Sequence, residues 1–288
     1  MRLTYLALAG VLAAGLVAGC SNSDGGAAGN ASASKAPAPA VSERTLQLDN
    51  GPDRPLPTLL VAPTAEGRHP VVVFSHGLTR KPDDYINLLR VWAAAGFIVV
   101  APAFPHSVRD AAKLDDQDIV NQPGDNAVVL TAVLGLDTKQ GDPLFGRIDA
   151  TKVAAAGHSL GGMTTVGMFT KHRDDRLKAG IVLSGGQWPF GVGYTGAPAP
   201  ILFVHGRLDD VVKFEGSTEA YDPLPWPKAL LDLPNGDHLD PYLADGAEYA
   251  AVARTTTDFL RWSLLGDQAA RTRLDTDAGD AGKLDDKL

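Results

Sequence analysis

Residues 152–162 have the sequence KVAAAGHSLGG. The apolar first half is typical of a short buried strand, and the second half, followed by further apolar residues, is typical of a turn into a helix. The pattern G-x-S-x-G at such a junction lifts a serine hydroxyl above the end of a sheet, because small neighbours permit the sharp backbone turn. Ser159 is therefore the candidate nucleophile, and the strand-to-helix junction predicts an α/β domain.

Strand-like and helix-like segments alternate on both sides of this motif. Apolar periodicity predicts helices over 82–95, 125–136, 160–172 and 245–265, with Tyr85 and Trp92 on the apolar face of the first. Strands are predicted over 43–49, 56–62, 71–75, 97–101, 152–156, 179–183, 200–205 and 228–233. This alternation predicts a mostly parallel central sheet of about eight strands, covered by helices on both faces and without a large cap domain.

The two ends of the chain differ in composition from the middle. Residues 1–19 combine a positive start at Arg2 with an apolar run too short to span a bilayer comfortably, which predicts an export signal. Residues 20–42, rich in Ser, Gly, Ala and Pro, are predicted to form a flexible tether. Residues 267–288 are polar and are predicted to be a loosely ordered tail, which leaves one α/β domain over residues 43–266.

Composition excludes several classes of function. The formal net charge of the 288 residues is -8, and no stripe of lysine and arginine occurs, so a nucleic-acid partner is not expected. Cys20 is the only cysteine, which excludes a disulfide within the chain and a cysteine-based metal site. The seven histidines contain no His-x-x-x-His pair, and neither a metal nor a cofactor is predicted.

A serine nucleophile needs a base, and the base needs an acid that orients it. Two predicted strands after Ser159 are followed by suitable residues. The first leads to Asp209 and Asp210, either of which could be the acid, and the second leads to His238, the candidate base. Carboxyl ends of parallel strands meet at one edge of a sheet, so these residues are expected to lie together.

The other histidines that lie in motifs or loops are expected to have supporting or surface positions. His158 and His205 are expected to support the turns in which they occur, and His69, His106 and His172 are expected at the surface or in loops.

Two backbone N–H groups are expected to stabilise the negative charge that develops on a carbonyl oxygen under attack. One is that of Leu160, directly after the nucleophile. The other is that of Leu78, in the loop that follows the first buried strand.

Residues 74–78, residues 157–162 and the pattern H-G-x-x-D at 205–209 resemble the α/β-hydrolase superfamily. The closest resemblance is to bacterial serine esterases similar to platelet-activating-factor acetylhydrolase, often labelled dienelactone-hydrolase-like; polyester-degrading hydrolases and chlorophyllase-like enzymes share similar motifs. The resemblance implies that Asp209 is the acid. Ser159 stands where true dienelactone hydrolases have a cysteine, so dienelactone chemistry is not implied. Residues 17–20, Val-Ala-Gly-Cys, resemble a bacterial lipobox and imply lipid attachment at Cys20; an ordinary export signal is the alternative.

These observations predict ester hydrolysis through an acyl-enzyme on Ser159, with a lipid-like, small or polymeric ester as substrate. Acyl transfer by the same residues and a non-catalytic surface binding protein are the alternatives. Trp188 and Trp226 lie in two loops and are expected either to wall the substrate pocket or to cover the edge of the core. The domain is expected outside the cytoplasm, held at the cell envelope by a membrane anchor on Cys20.

Overall fold

Parallel strands occupy the centre of the fold and antiparallel strands its edges. The structure, a computed structural model, describes residues 40–243 and 245–288. The predicted export signal, Cys20 and the predicted tether up to residue 39 lie outside the described residues. The strands in the described part are β1 (Val41–Asp49), β2 (Pro55–Pro63), β3 (His69–Ser75), β4 (Ile98–Pro102), β5 (Ile148–His158), β6 (Leu177–Leu183), β7 (Ile201–Gly206), β8 (Lys228–Leu233) and β9 (Lys283–Lys287).

These strands form one sheet in the order β1-β2-β4-β3-β5-β6-β7-β8-β9. The pairs from β4 across to β8 are parallel, whereas β1 with β2, β2 with β4 and β8 with β9 are antiparallel. The helices are α1 (Ile86–Ala94), α2 (Gln122–Gly135), α3 (Leu160–Gly167), α4 (Phe214–Tyr221), α5 (Asp240–Leu243), α6 (Ala247–Leu265) and α7 (Gln268–Asp277). The predicted α/β-hydrolase fold with a mostly parallel sheet is confirmed.

The sheet is buried on both faces, which explains why residues 71–74, 98–101 and 153–156 of its central strands are continuously apolar. Alternate residues of β3 belong to different cores: Val71 and Val73 pack with α2 and α3 on one face, and Val72 and Phe74 pack with α1 and α6 on the other. Every residue of β3 and β4 is buried. The central strands therefore form a rigid platform whose carboxyl ends carry the loops that follow β3, β5, β7 and β8.

The prediction of a loosely ordered tail is wrong. Residues after 267 form helix α7 and strand β9, which pairs antiparallel with β8. Asp267 caps α7 by accepting a hydrogen bond from the Ala270 N–H (3.0 Å), and Leu274 is buried against the core. The segment is polar because a surface helix and an edge strand each bury only one face, and a few apolar residues are enough for that.

Smaller differences concern single residues. Strand β1 begins at Val41, two residues before the predicted domain boundary. His69 was expected at the surface or in a loop but is buried in β3, with Nδ1 and Nε2 each 3.0 Å from a backbone carbonyl oxygen, those of Gly96 and Ala65 respectively. In the described part of the chain, none of the helices combines the length and the apolar character needed to cross a membrane.

Candidate active site

The loops after three parallel strands bring the predicted site residues to one edge of the sheet. Ser159 follows β5, Asp209 lies beyond the end of β7, and His238 lies beyond the end of β8. This edge is where open α/β sheets bind their ligands. The strand order places β5, β7 and β8 close to one another, with only β6 between β5 and β7.

Ser159 occupies a strained turn between β5 and α3. Its φ of 56° and ψ of -121° lie in a backbone region that residues with a side chain rarely adopt. The turn is possible because Gly157 and Gly161 lack side chains: a Cβ on Gly161 would lie 2.0 Å from the carbonyl oxygen of Ser75, and one on Gly157 would lie 2.2 Å from that of Gly161. The Ser159 N–H donates to the carbonyl of Leu183 (2.9 Å), which holds the turn against β6.

The three predicted side chains are in hydrogen-bond contact. Nε2 of His238 lies 3.0 Å from Oγ of Ser159, and Nδ1 of His238 lies 2.7 Å from Oδ2 of Asp209. The Asp209 side chain is fully buried, whereas Asp210 is exposed. Position in the sequence allows either aspartate as the acid, the family resemblance implies Asp209, and the geometry favours Asp209. A carboxylate that accepts Nδ1–H leaves Nε2 free to accept a proton from the serine.

Asp209 is held as a carboxylate by a surrounding set of donors. Its Oδ1 accepts hydrogen bonds from the N–H groups of Val211 (3.0 Å) and Val212 (2.8 Å). Burial raises the pKa of Asp209, but hydrogen bonds from His205, His238 and the Val212 N–H outweigh this and bring the pKa below its ordinary value. The group is therefore ionised throughout the neutral range.

His205, at the end of β7, holds the loop that carries Asp209 from inside the domain. The ring is completely buried, with Nδ1 2.7 Å from Oγ of Ser217 and Nε2 2.8 Å from the carbonyl of Val212. Ser217 in turn donates to the carbonyl of Gly185 (2.7 Å), which ties α4 to the loop after β6. The supporting position expected for His205 in the sequence agrees with these contacts.

The two backbone N–H groups predicted as oxyanion donors belong to Leu160, directly after Ser159, and to Leu78, which lines the same cleft as Ser159. In the residues that the structure describes, neither the Leu160 N–H nor the Leu78 N–H donates to a protein acceptor. Leu160 is the first residue of α3, where N–H groups have no partner within the helix. The loop that carries Leu78 is shaped by His76: its Nε2 accepts from the Phe104 N–H (3.1 Å), and its Nδ1 donates to the carbonyl of Gly77 (2.8 Å). Burial lowers the pKa of His76 to about 4.

A cleft of about 280 Å³ opens beside Ser159. The residues that line it are Gly77, Leu78, Thr79, Arg80, His158, Ser159, Val211, His238 and Leu239. The lining combines the candidate nucleophile, one of the two predicted oxyanion donors (Leu78) and several apolar side chains. Such a cleft can hold a carbonyl group against Ser159 while a chain extends over apolar walls.

The two tryptophans predicted as pocket walls do not line this cleft. Trp226 comes just before β8 and therefore lies near the amino end of that strand, away from the edge that carries Ser159. It is 9% exposed and packs against Phe169 and Tyr194. Trp226 therefore covers the edge of the core, as the alternative prediction states. Trp188 is 44% exposed in the loop after β6, and its contribution to a pocket stays a prediction.

One contact of the site was not predicted. Tyr85 was placed on the apolar face of a helix, and its ring is indeed buried there, but its hydroxyl lies 2.8 Å from Nδ1 of His158. No motif in the sequence marks this tyrosine. Among the described residues, no group of three or more His, Cys, Asp or Glu side chains is arranged to hold a metal ion.

Comparison with known proteins identifies relatives of this chain. A family model described as Chlorophyllase matches residues 35–184. Cutinase est1 of Thermobifida alba is 27% identical over 187 residues, which are 64% of this chain and 58% of the cutinase. The cutinase of Thermobifida fusca (strain YX) is 26% identical over 183 residues, 62% of this chain and 56% of the cutinase. Chlorophyllase-1, chloroplastic, of Citrus sinensis is 26% identical over 123 residues, 43% of this chain and 35% of the chlorophyllase.

The chain spans a little over half the length of the cutinases that it matches. That cutinases and chlorophyllases are among the relatives agrees with the fold and with the expected resemblance to the α/β-hydrolase superfamily. The family model covers just over half of the chain, and the chain therefore belongs to the chlorophyllase family.

Proposed function

We propose that this protein hydrolyses carboxylic esters through an acyl-enzyme on Ser159. The observation that carries the proposal is the contact between Oγ of Ser159 and Nε2 of His238 (3.0 Å), beside an open cleft. A serine hydroxyl becomes a useful nucleophile when a neutral imidazole at this distance can take its proton. Asp209 supports that role because its Oδ2 accepts a hydrogen bond from Nδ1–H of His238 (2.7 Å).

In the first half-reaction, Oγ of Ser159 attacks the carbonyl carbon of the ester while Nε2 of His238 takes the hydroxyl proton. The carbonyl oxygen becomes an oxyanion that accepts hydrogen bonds from the N–H groups of Leu78 and Leu160. The tetrahedral intermediate then collapses, the bond to the alcohol oxygen breaks, and His238 returns its proton to the departing alcohol. The acyl group remains bound to Ser159.

In the second half-reaction, water replaces the alcohol in the cleft. His238 removes a proton from the water, whose oxygen attacks the acyl carbon, and the same two N–H groups stabilise the second oxyanion. Collapse of this intermediate releases the carboxylic acid and returns the proton to Ser159. Asp209 stays ionised in both halves, and its low pKa supports this.

The shape of the cleft favours esters with an extended chain on at least one side of the carbonyl. The cleft is open to solvent, and Val211, which lines it, is 66% exposed. Leu78 and Leu239 add apolar surface near the serine. We therefore propose lipid-like or polymeric esters, and small model esters, as substrates; the cutinase relatives support this range.

A fluorophosphonate probe tests the proposal, because it reacts with serines that a base activates. We expect labelling of the wild type and of the control Ser42→Ala, whose serine lies in the edge strand β1, and none of Ser159→Ala. Hydrolysis of p-nitrophenyl esters from acetate to palmitate should fall by at least about 10⁴-fold in Ser159→Ala. A folded wild type that neither reacts with the probe nor hydrolyses any of these esters would refute the proposal.

We further propose that the chain is exported and lipid-anchored through Cys20. The support is in the sequence, where the only cysteine follows an apolar run and precedes a Ser/Gly-rich segment. In a bacterial host that processes lipoproteins, the full-length chain should take up labelled palmitate and partition into detergent. Cys20→Ser should do neither. Equal palmitate labelling of both chains would show that Cys20 is not the anchor.

A further inference from the structure

A chain of hydrogen bonds connects the two sides of the candidate active site. The Gly77 N–H donates to the hydroxyl oxygen of Tyr85 (3.1 Å), and that hydroxyl lies 2.8 Å from Nδ1 of His158. Nε2 of His158 lies 2.8 Å from the backbone carbonyl oxygen of His238. Tyr85 and His158 are both buried, so water does not compete for these contacts. We refer to these four residues as the Tyr85–His158 chain.

The geometry gives this chain one direction. The carbonyl of His238 can only accept, so Nε2 of His158 must carry the proton and donate. Nδ1 of His158 must then accept, and the Tyr85 hydroxyl must donate to it. The remaining lone pair of the hydroxyl accepts from Gly77. Burial, followed by the nearby His238, lowers the pKa of His158 to about 3, in keeping with the neutral ring that this arrangement requires.

The Tyr85–His158 chain ends at two loops, that of Gly77 and that of His238. The ester carbonyl would react between them. Gly77 directly precedes Leu78, whose N–H is one of the two proposed oxyanion donors. His238 is the proposed base, and His158 is the neighbour of Ser159 in the turn. Gly77 is packed so closely here that a Cβ would lie 3.2 Å from the Tyr85 hydroxyl and from Nδ1 of His158.

We propose that Tyr85 and His158 are positioning residues that hold the oxyanion loop and the His238 loop at the separation needed for ester hydrolysis. The inference rests on the proposed function. Loss of the Tyr85 hydroxyl leaves the Gly77 N–H and Nδ1 of His158 without partners. His158 can then adopt the other tautomer, which cannot donate to the carbonyl of His238. The Gly77 loop and the His238 loop are then no longer connected by hydrogen bonds, although every reacting group is still present.

The variant Tyr85→Phe tests this step because it removes the hydroxyl and keeps the ring. We expect kcat for a p-nitrophenyl ester to fall about 10- to 100-fold, with KM changed by less than about threefold, because misplacement acts on the transition state more than on binding. The rate of fluorophosphonate labelling should fall by a similar factor. Unchanged kcat in a folded Tyr85→Phe would overturn the proposal.

Tyr242→Phe is the matched control. Tyr242 is also fully buried, and its ring packs against the same His158 ring, with centroids 4.7 Å apart. Its hydroxyl instead contacts Oγ of Ser184 (2.9 Å) and the carbonyl of Val204 (3.2 Å). We expect its kcat to stay within about twofold of the wild type. A loss equal to that of Tyr85→Phe would mean that any buried hydroxyl here matters, which contradicts a specific positioning role.

A double-mutant cycle separates positioning from general loosening. His158→Phe keeps a ring and removes both nitrogens, so it breaks the chain at its centre. If the two residues act through one chain, Tyr85→Phe adds no further loss of kcat to His158→Phe. Losses that multiply in the double variant would show independent effects and overturn the proposal.

A spectroscopic measurement tests the chain even where a variant does not fold. Long-range ¹H–¹⁵N spectra of the wild type report the tautomer of each of the seven histidines. One ring should stay neutral with its proton on Nε2 between about pH 5 and 9, and nuclear Overhauser contacts to the ring of Tyr85, whose centroid lies 5.6 Å from that of His158, assign it in the wild type. A proton on Nδ1 of His158 would overturn the proposal. Failure of the proposed function would be seen separately, as an unlabelled wild type.

Discussion

Nε2 of His205 lies 3.2 Å from Oδ2 of Asp209. The same carboxylate oxygen contacts Nδ1 of His238 at 2.7 Å, so one oxygen lies between two imidazoles. One of these faces the cleft, and the other is completely buried. The buried ring therefore helps the Val211 and Val212 N–H groups to hold the carboxylate in place, and the carboxylate orients the ring at the cleft.

Replacing His205 by Phe keeps the ring volume and removes both polar contacts. Ser217 and the carbonyl of Val212 lose a partner, so we expect the free energy of unfolding at pH 7 to fall by about 2 kcal/mol. Urea unfolding measures this. His172→Phe, at an exposed histidine, is the control and should change the value by less than about 0.5 kcal/mol. Equal effects of the two variants would contradict the anchoring role of His205.

The low pKa of Asp209 also predicts how stability depends on acid. A carboxyl whose pKa is lower in the folded state than its ordinary 3.8 stabilises the fold above that value, and the contribution is lost as the pH falls below it. His205→Phe removes one of the contacts that lower this pKa. The variant should therefore lose less stability than the wild type as the pH falls below about 5. Midpoints of urea unfolding, measured at several pH values below about 5, test this. A steeper loss in the variant would be inconsistent with this account.

The neighbouring residues Asp209 and Asp210 offer a matched pair for the acid role. Asp209→Asn leaves the geometry of the loop but removes the charge that orients His238, so kcat should fall by about 10³- to 10⁴-fold. Asp210→Asn changes an exposed carboxylate and should leave kcat within about twofold of the wild type. Steady-state kinetics on one p-nitrophenyl ester are sufficient. The reverse ranking would transfer the acid role to Asp210.

A buried carboxyl far from the cleft should make stability depend on pH in the mildly acidic range. Burial and the nearby Asp258 raise the pKa of Asp277 to about 6. Between its ordinary 3.8 and this value, the folded state holds a proton that the unfolded state releases, so stability falls as the pH rises through this range. Asp277→Asn should remove that slope and stabilise the protein by about 1 kcal/mol at pH 7.

Asp275→Asn, on the exposed side of the same helix, is the control for Asp277 and should keep the slope of the wild type. Urea unfolding at several pH values between 4 and 7 measures both variants. A slope that survives in Asp277→Asn would mean that another group is responsible.

Glycine substitutions should separate close approach from ordinary helix propensity. Gly161→Ala places a Cβ 2.0 Å from a backbone oxygen of β3, which the turn at Ser159 cannot accommodate, so we expect no folded protein. Gly135→Ala, at the end of α2, meets open space and should raise stability by about 0.5 to 1 kcal/mol. Expression yield and thermal unfolding are the measurements. A folded, active Gly161→Ala would refute the packing argument.

The sequence predicted those parts of the site that depend on strand ends. Ser159 lies in a motif whose glycines permit a sharp turn, and Asp209 and His238 each follow a short, mainly apolar run bounded by turn residues, which predicts a strand. The choice between Asp209 and Asp210 needed either the family resemblance or the structure, because both follow the same strand. Tyr85 could not be found, since its contact with His158 joins residues far apart in the chain and depends on how a helix docks.

Burial was harder to predict where polar and apolar residues are mixed. The last 22 residues contain few apolar side chains, yet these are enough to complete a helix and an edge strand: Ala270, Leu274 and Ala278 are buried, and Leu284 and Leu288 pack against the core. Trp226 was considered for the pocket because it lies in a loop, but that loop enters β8 from the opposite end of the sheet. Aromatic residues in loops have no periodicity that would distinguish these locations.

Strand β9 has a consequence for handling the protein. It covers the outer side of β8, whose residues 229–231 are buried and apolar, and its own sequence, KLDDK, presents charges at the border of the sheet. An uncovered β8 would offer unpaired backbone groups and an apolar face to other chains, which is a template for aggregation. We therefore expect β9 to protect the protein from self-association. An affinity tag should not replace residues 283–287.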